Sequence, residues 1–286
     1  MDEGVRLRIF VAGGSGVLGR NAIPLLTGAG HQVVATTRSA GKTGLLAELG
    51  ASPVVLDALD RDGVLEAVDR AQPDAILHLL TDLGSGVRAS TTHLRIVGTR
   101  HLVEAAKRSG VKRIVAESIS WVYQPGHEPA RESEPLDLDA PEPRRTIIRS
   151  IQSLEAAVQE IPAGVVLRFG YLYGPGTWYS RQDLFALQAQ HGQLPATETV
   201  ASFIHIHDAA RAAVAALDWA AGIWNVVDDE PAAGHDWVPT FAAAVDAPAR
   251  ALVSCGDIGR PVSNAHARGA GLQLDHPSWR TGFLTL

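Results

Sequence analysis

Short apolar runs alternate with longer amphipathic stretches over the first two-thirds of the chain. The apolar runs Leu7–Ala12, Gln32–Thr36, Pro53–Leu56, Ala75–Leu80, Lys112–Ala116 and Gly164–Phe169 predict buried strands. Between them, Leu45–Leu49, Val64–Val68 and Leu94–Ala106 place apolar residues at helical spacing, where residues three and four apart share a face. Strand and helix in strict alternation predict βαβ units, and therefore an α/β fold with a doubly wound parallel sheet and helices on both faces.

Two stretches interrupt the rhythm. Gln124–Arg145, rich in Pro, Glu, Asp and Arg, predicts a long exposed loop after the fifth strand, and Tyr171–Val200 follows the sixth with Gly, Pro and aromatic residues. Open α/β sheets bind ligands beyond the carboxyl ends of their strands, so both stretches are candidate walls for a substrate. The expected organisation is a Rossmann core over 1–170 that also takes in about 203–227, with 171–202 and 228–286 as a small C-terminal substrate lobe.

Composition narrows the partners. A chain of 286 residues with 46% hydrophobic and 20% charged residues is long enough for a large buried core. Its net charge of −6, without a dense basic run, argues against a nucleic-acid partner, because phosphate contacts need clustered Lys and Arg. Cys255 is the single cysteine, which excludes an internal disulfide and a cysteine-rich metal site. The charged start, Met1 to Leu7, does not resemble a signal peptide, and no apolar window is long enough for a membrane helix. A cytoplasmic protein is expected.

The strongest chemical signal is Arg8-Ile-Phe-Val-Ala-Gly13-Gly-Ser-Gly16-Val-Leu-Gly19-Arg. A strand runs into Gly-x-x-Gly-x-x-Gly and then a helix, the arrangement that offers backbone N–H groups to a dinucleotide pyrophosphate. Gly13 permits the tight turn, Gly16 the approach of the phosphate, and Gly19 the close packing of helix on strand. Ser15, Val17 and Leu18 complete this cofactor-binding turn. At the end of the second strand, Val34-Ala-Thr-Thr-Arg38-Ser offers no acid for ribose hydroxyls. The planar guanidinium of Arg38 suits a 2′-phosphate instead, which predicts NADP(H), with Ser39 and Lys42 within reach.

With these residues in place, the chain resembles the extended short-chain dehydrogenase/reductase family, of the NAD(P)-dependent epimerase/dehydratase type. The resemblance implies that Asp57 and Ala58 hold the adenine and that Leu79, Leu80 and Thr81, following His78, run along the nicotinamide ribose. Ile96-Val-Gly-Thr99 resembles the family's Asn-x-x-Gly-Thr, with Arg95 where Asn is usual. Leu167-Arg-Phe-Gly-Tyr-Leu-Tyr-Gly-Pro-Gly176, Phe203-Ile-His-Ile-His-Asp208 and Ser278-Trp-Arg-Thr-Gly-Phe283 resemble its later segments.

The family's Tyr-x-x-x-Lys is missing. Aligned on Glu155, its positions fall at Ile147 and Ile151, and the residues four beyond Tyr123, Tyr171, Tyr173 and Tyr179 are His127, Pro175, Thr177 and Asp183. The catalytic serine position falls at Ile119, between Ser118 and Ser120. Ser120, Tyr123 and His78 are therefore the candidates for proton handling, each with an alternative structural role. The aromatic residues Tyr171, Tyr173, Trp178 and Tyr179 are candidates to grip a flat small-molecule substrate.

No metal motif is present: His205 and His207 alternate on a strand, and Asp208 reads as a helix N-cap. The leading expectation is an NADP(H)-dependent oxidoreductase acting on a small carbonyl, imine or enone. A redox-neutral lyase, isomerase or cyclase and a non-catalytic NADP sensor remain alternatives. Apolar positions on Leu94–Ala106 and Ile147–Val158 leave a homodimer open beside a monomer.

Overall fold

A computed structural model describes residues 6–82, 88–248 and 259–286. Cys255 and Met1–Val5 lie outside them. Strands β1 (Arg8–Ala12), β2 (Gln32–Thr37), β3 (Ser52–Val55), β4 (Ala75–His78), β5 (Arg113–Ile119) and β6 (Ala163–Phe169) follow the apolar runs. Further strands are β7 (Tyr171–Tyr173), β8 (Val200–Ala201), β9 (Phe203–His205), β10 (Gly222–Val226) and β11 (Ala232–Ala233). Seven of them form one sheet in the order β3-β2-β1-β4-β5-β6-β10. β1 pairs in parallel with both β2 and β4, with Ala12 opposite His78. The order of winding reverses between β1 and β4, the crevice where open α/β sheets bind ligands.

Helix α1 (Val17–Gly28) buries Leu18, Gly19, Ala22, Ile23 and Leu26, a single stripe at helical spacing. Helix α2 (Thr43–Glu48) adds Leu46 on the same side of the sheet, where Leu46 and Ile23 converge on Ala35 around Gly14. Against the opposite face pack α3 (Arg61–Ala71), α5 (Thr99–Arg108) and α6 (Arg144–Val158), through Val68, Leu102, Val103 and Leu154 against Phe10, Ile76 and Ile114. The short α4 (Arg88–His93) runs into α5 through a π-turn at Leu94–Gly98. Such wide turns add a residue to a helix and recur beside functional sites.

The chain divides into two units, Met1–Ser118 with Pro141–Leu167 and Ala213–Ile223, and Ile119–Ala140 with Arg168–Ala212 and Trp224–Leu286. The second contains α7 (Leu184–Gln190), α9 (Gly234–Ala244), α10 (Ala265–Gly269) and α11 (Trp279–Gly282), and α8 (Ile206–Ala215) begins in it. Its core is aromatic: Tyr173, Tyr179, Phe203, Trp237, Phe241, Trp279 and Phe283. Edge-on ring pairs such as Tyr179–Phe203 (5.4 Å, 89°) and Tyr173–Phe283 (5.2 Å, 81°) dominate it, the geometry that ring quadrupoles favour.

The expected loop over Gln124–Arg145 is present as far as Pro143 and is exposed for most of its length, but it is tied down at several points. Ala130 and Ala140 are buried, and bridges join Tyr123 to Leu136 and Ala130 to Val262. Polar composition concealed these backbone pairings, and Arg144 already opens α6. No helix among the described residues is long and apolar enough to cross a membrane.

Candidate cofactor and substrate site

The glycine turn sits at the end of β1. Gly13 adopts φ +94°, a conformation that side chains with a Cβ resist. A Cβ there would also meet the Leu79 carbonyl oxygen at 2.4 Å. A Cβ at Gly19 would meet the Gly13 and Gly14 oxygens at 2.5 and 2.7 Å, whereas one at Gly16 would meet only the Gly13 oxygen, at 3.2 Å. Gly13 and Gly19 thus serve close packing, and Gly16 leaves the turn open above it. No side chain caps α1 and no acid occupies its first turn, which keeps its N–H groups and positive end available to an anion. Ser15 Oγ lies 2.9 Å from Thr37 Oγ1. The turn fits a pyrophosphate on these observations.

Arg38, its side chain 56% exposed, donates from Nη2 to Asp82 Oδ1 at 2.6 Å. Asp82 also accepts a hydrogen bond from Ser90. This ion pair was not visible in the sequence, because Asp82 lies two strands away along the chain. It holds the guanidinium at the end of β2 by one arm. Asp57 Oδ1 accepts the Leu59 N–H at 3.0 Å, and the buried Ala58 passes its carbonyl to His101 at 2.9 Å. Leu79 is buried, with its N–H on the Ala12 oxygen at 2.9 Å, while Leu80 and Thr81 are half-buried.

Within the first unit, His78 is buried with Nε2 2.7 Å from Thr99 Oγ1, and Nδ1 accepts the Leu80 N–H at 3.4 Å. Burial pushes its pKa down to about 4, and the charge of Arg95 adds to the effect. Arg95 projects from the π-turn and is itself buried. Glu117, near the end of β5, is pushed up to about 7 by burial, against the pull of Arg95. Ser118 donates to Glu155 Oε1 on α6 at 2.8 Å. On α6, Ile147 is half-buried and Ile151 fully buried.

In the second unit Ser120 is buried, with its N–H on the Phe169 oxygen at 2.8 Å. Tyr123 is buried in a polar network. Its hydroxyl donates to Asn225 Oδ1 at 2.6 Å and accepts from Arg168 Nη1 at 2.8 Å, and the Arg168 guanidinium lies 5.0 Å from the ring centre. Asn225 in turn donates to the Ala130 oxygen and takes Glu132 on its N–H. Burial raises the Tyr123 pKa, and Arg168 opposes the shift. The phenol proton is engaged by Asn225.

The aromatic residues after β6 divide. Tyr173 and Tyr179 belong to the core of the second unit. Tyr171 stacks on Trp121 (6.3 Å, 6°) and Trp178 is 40% exposed. Asp208 is not an N-cap: α8 already begins at Ile206, and its buried carboxylate accepts the N–H groups of Asp275 and His276, each at 2.9 Å.

Comparison with known proteins adds to this geometry. The model of the NAD dependent epimerase/dehydratase family matches residues 9–226. A Streptomyces sp protein described as 3-diazoavenalumate denitrifying reductase is 39% identical over 96% of this chain and 99% of its own. The 2-alkyl-3-oxoalkanoate reductase of Stenotrophomonas maltophilia is 30% identical over 59% of this chain and 52% of its own. Among solved structures, the Bordetella bronchiseptica enzyme WbmG, in complex with NAD and UDP, superimposes with a TM-score of 0.80 at 22% identity. That match covers 100% of this chain and 95% of that one. The UDP-glucose 4-epimerase of Thermotoga maritima follows with a TM-score of 0.76 at 19% identity, over 96% of each chain.

Proposed function

Because the chain belongs to the NAD dependent epimerase/dehydratase family, we propose that it is an NADP(H)-dependent reductase for a small, electron-poor acceptor. One observation carries this reading: an acid-free glycine turn coexists with a helix α6 that has isoleucine at 147 and 151, where the resemblance puts the acid–base pair. The protein binds the means of reduction without the usual means of protonation.

Gly13, Ser15, Gly16, Val17, Leu18 and Gly19 hold the pyrophosphate in this proposal. Arg38 takes the 2′-phosphate with the arm that Asp82 leaves over, and Asp57 and Ala58 bound the adenine. Leu79 to Thr81 flank the nicotinamide ribose. NADPH bound there supplies a hydride. An acceptor whose reacting atom already carries positive character needs no concerted proton from the protein, so a buried, proton-poor wall suffices. An imine in its iminium form is such an acceptor. So is a diazo group, the group in the Streptomyces relative's name, once it is protonated.

Ser120 is the polar group assigned to orient the acceptor. Tyr123 and His78 are assigned positioning roles, since each is buried and bonded to a partner. Residues 1–170 with about 203–227 serve the cofactor, and 171–202 with 228–286 the substrate.

The test is NADPH oxidation across a panel of carbonyl, imine, enone and aryl diazo compounds. Consumption of NADPH with an imine or diazo member, and not with NADH, supports the proposal. No oxidation with any member removes it. Product formation with the cofactor's redox state unchanged would move the chain to the redox-neutral class.

A further inference from the structure

We propose that His205, His207 and His276 form a binding site for a divalent transition metal of the zinc class. One donor nitrogen from each lies within 4.8 Å of the other two. His205 closes β9 and His207 stands in the first turn of α8, their ring centres 4.8 Å apart. His276 arrives from the loop ahead of α11, its ring 3.8 Å from that of His205 at a tilt of 33°. Imidazole is the side chain best suited to zinc, copper and nickel, and three of them with an open fourth position make a recurrent zinc set.

The cluster is held in place from below. The Asp208 carboxylate, fully buried, takes the N–H of Asp275 on one oxygen and that of His276 on the other. The segment carrying His276 is therefore fixed against the element carrying His205 and His207. Asp275 is paired with Arg211 and interacts electrostatically with His276 and His205. His205 Nδ1 accepts the His207 backbone N–H at 3.3 Å, which orients the ring and which an ion on this nitrogen would displace. Tetrahedral zinc at the usual Zn–N length brings imidazole nitrogens to about 3.3 Å from one another. His207 is exposed and His276 half-buried, so both side chains have room to close the remaining gap. A bound ion would tie the 275–277 loop to the junction of β9 and α8.

The test uses the full chain without a histidine tag, stripped with a chelator and titrated with Co²⁺ and with Zn²⁺. The expected result is one equivalent of Co²⁺ with the intense visible absorption of a four-coordinate site, competed away by Zn²⁺. Zn²⁺ should also raise the Tm. Loss of one ligand in His207→Ala or His276→Ala should weaken Co²⁺ binding by more than the roughly 10–100-fold that losing an outer-shell partner costs. The metal-free Tm of His207→Ala, and its NADPH affinity, should stay at the parent's values. Absence of a saturable Co²⁺ spectrum overturns the proposal, and so does a spectrum that survives unchanged in both variants. Three imidazoles packed for their surface alone would give the first of these outcomes.

Discussion

The turn after β1 and the helix after β5 make opposite statements about the chemistry. The turn has the features that the proposed dinucleotide site needs: a positive φ at Gly13, a close approach at Gly19, a single Cβ neighbour at Gly16 and an uncapped α1. At α6 the two positions to which the proposed alignment assigns proton transfer, Ile147 and Ile151, are aliphatic, and Ile151 is sealed in the core. On the proposed reading, binding and proton transfer are separable on this scaffold. A fold can retain the first and shift the burden of the second to the substrate, whose own charge then decides what can be reduced.

Substitution at the turn should have the largest effect. Gly13→Ala forces a Cβ into the Leu79 carbonyl at a left-handed φ. The strain and overpacking together should cost about 3–5 kcal/mol. NADPH binding, followed by fluorescence, should vanish, and the Tm should fall with it. If Gly13→Ala binds NADPH normally, the contrast between the two regions fails at its stronger end.

Arg38→Ala tests which cofactor the turn serves. Loss of a charge-assisted hydrogen bond to a phosphate should cost about 2 kcal/mol, or roughly 30-fold in NADPH affinity. NADH affinity should not change. Equal losses for both cofactors would tie Arg38 to the Asp82 pair rather than to the 2′-phosphate.

His78 sharpens the electrostatic side. Its folded pKa of about 4 lies below the ordinary 6.5, so the unfolded chain binds the extra proton between those values. Stability is therefore full above pH 6.5 and falls as the pH drops toward 4, by about 2 kcal/mol between pH 7.5 and 5 from this group. Glu117, pushed up to about 7, acts in the opposite sense: the folded state holds the extra proton, and stability falls as the pH rises through that range. Denaturant melts at the two pH values should show the acid loss shrinking by about 2 kcal/mol in His78→Asn. An unchanged loss would mean that other groups govern acid unfolding.

The smallest effect is expected at Tyr123. Tyr123→Phe leaves Asn225 Oδ1 and Arg168 each short of one partner in a buried network, at about 1–2 kcal/mol of stability. With the phenol in a positioning role, kcat should fall less than about tenfold, whereas loss of a general acid would cost about 100-fold or more. A flat kcat–pH profile in both forms would agree with the positioning role.

How much of this could be read along the chain depended on how local the cause was. The strands and the Gly13–Gly19 turn follow from apolar runs and a glycine spacing contained within a dozen residues. The loss of Tyr-x-x-x-Lys was legible for the same reason. The Arg38–Asp82 pair, the Tyr123–Arg168–Asn225 network and the meeting of His276 with His205 were not, because each joins segments that only the folded backbone brings together. Asp208 shows the limit well. Its position beside a helix start suggested a cap, while its carboxylate is spent on a loop far along the chain. Tyr173 and Tyr179 misled similarly: their place after β6 suggested a binding wall, and packing against Phe203 and Phe241 made them core instead.

The aromatic core of the second unit bears on how the protein is made. Trp279 and Phe283 are fully buried in it, and Trp279 is bonded through its N–H to Asp228 and through its indole to the Glu230 oxygen. That core lacks two of its largest rings until synthesis has passed residue 283. During translation at ~5–20 residues per second, Phe203 and Phe241 are in the growing chain before their last partners exist. The second unit thus completes its aromatic core later in synthesis than the first unit completes the packing of β1 to β6.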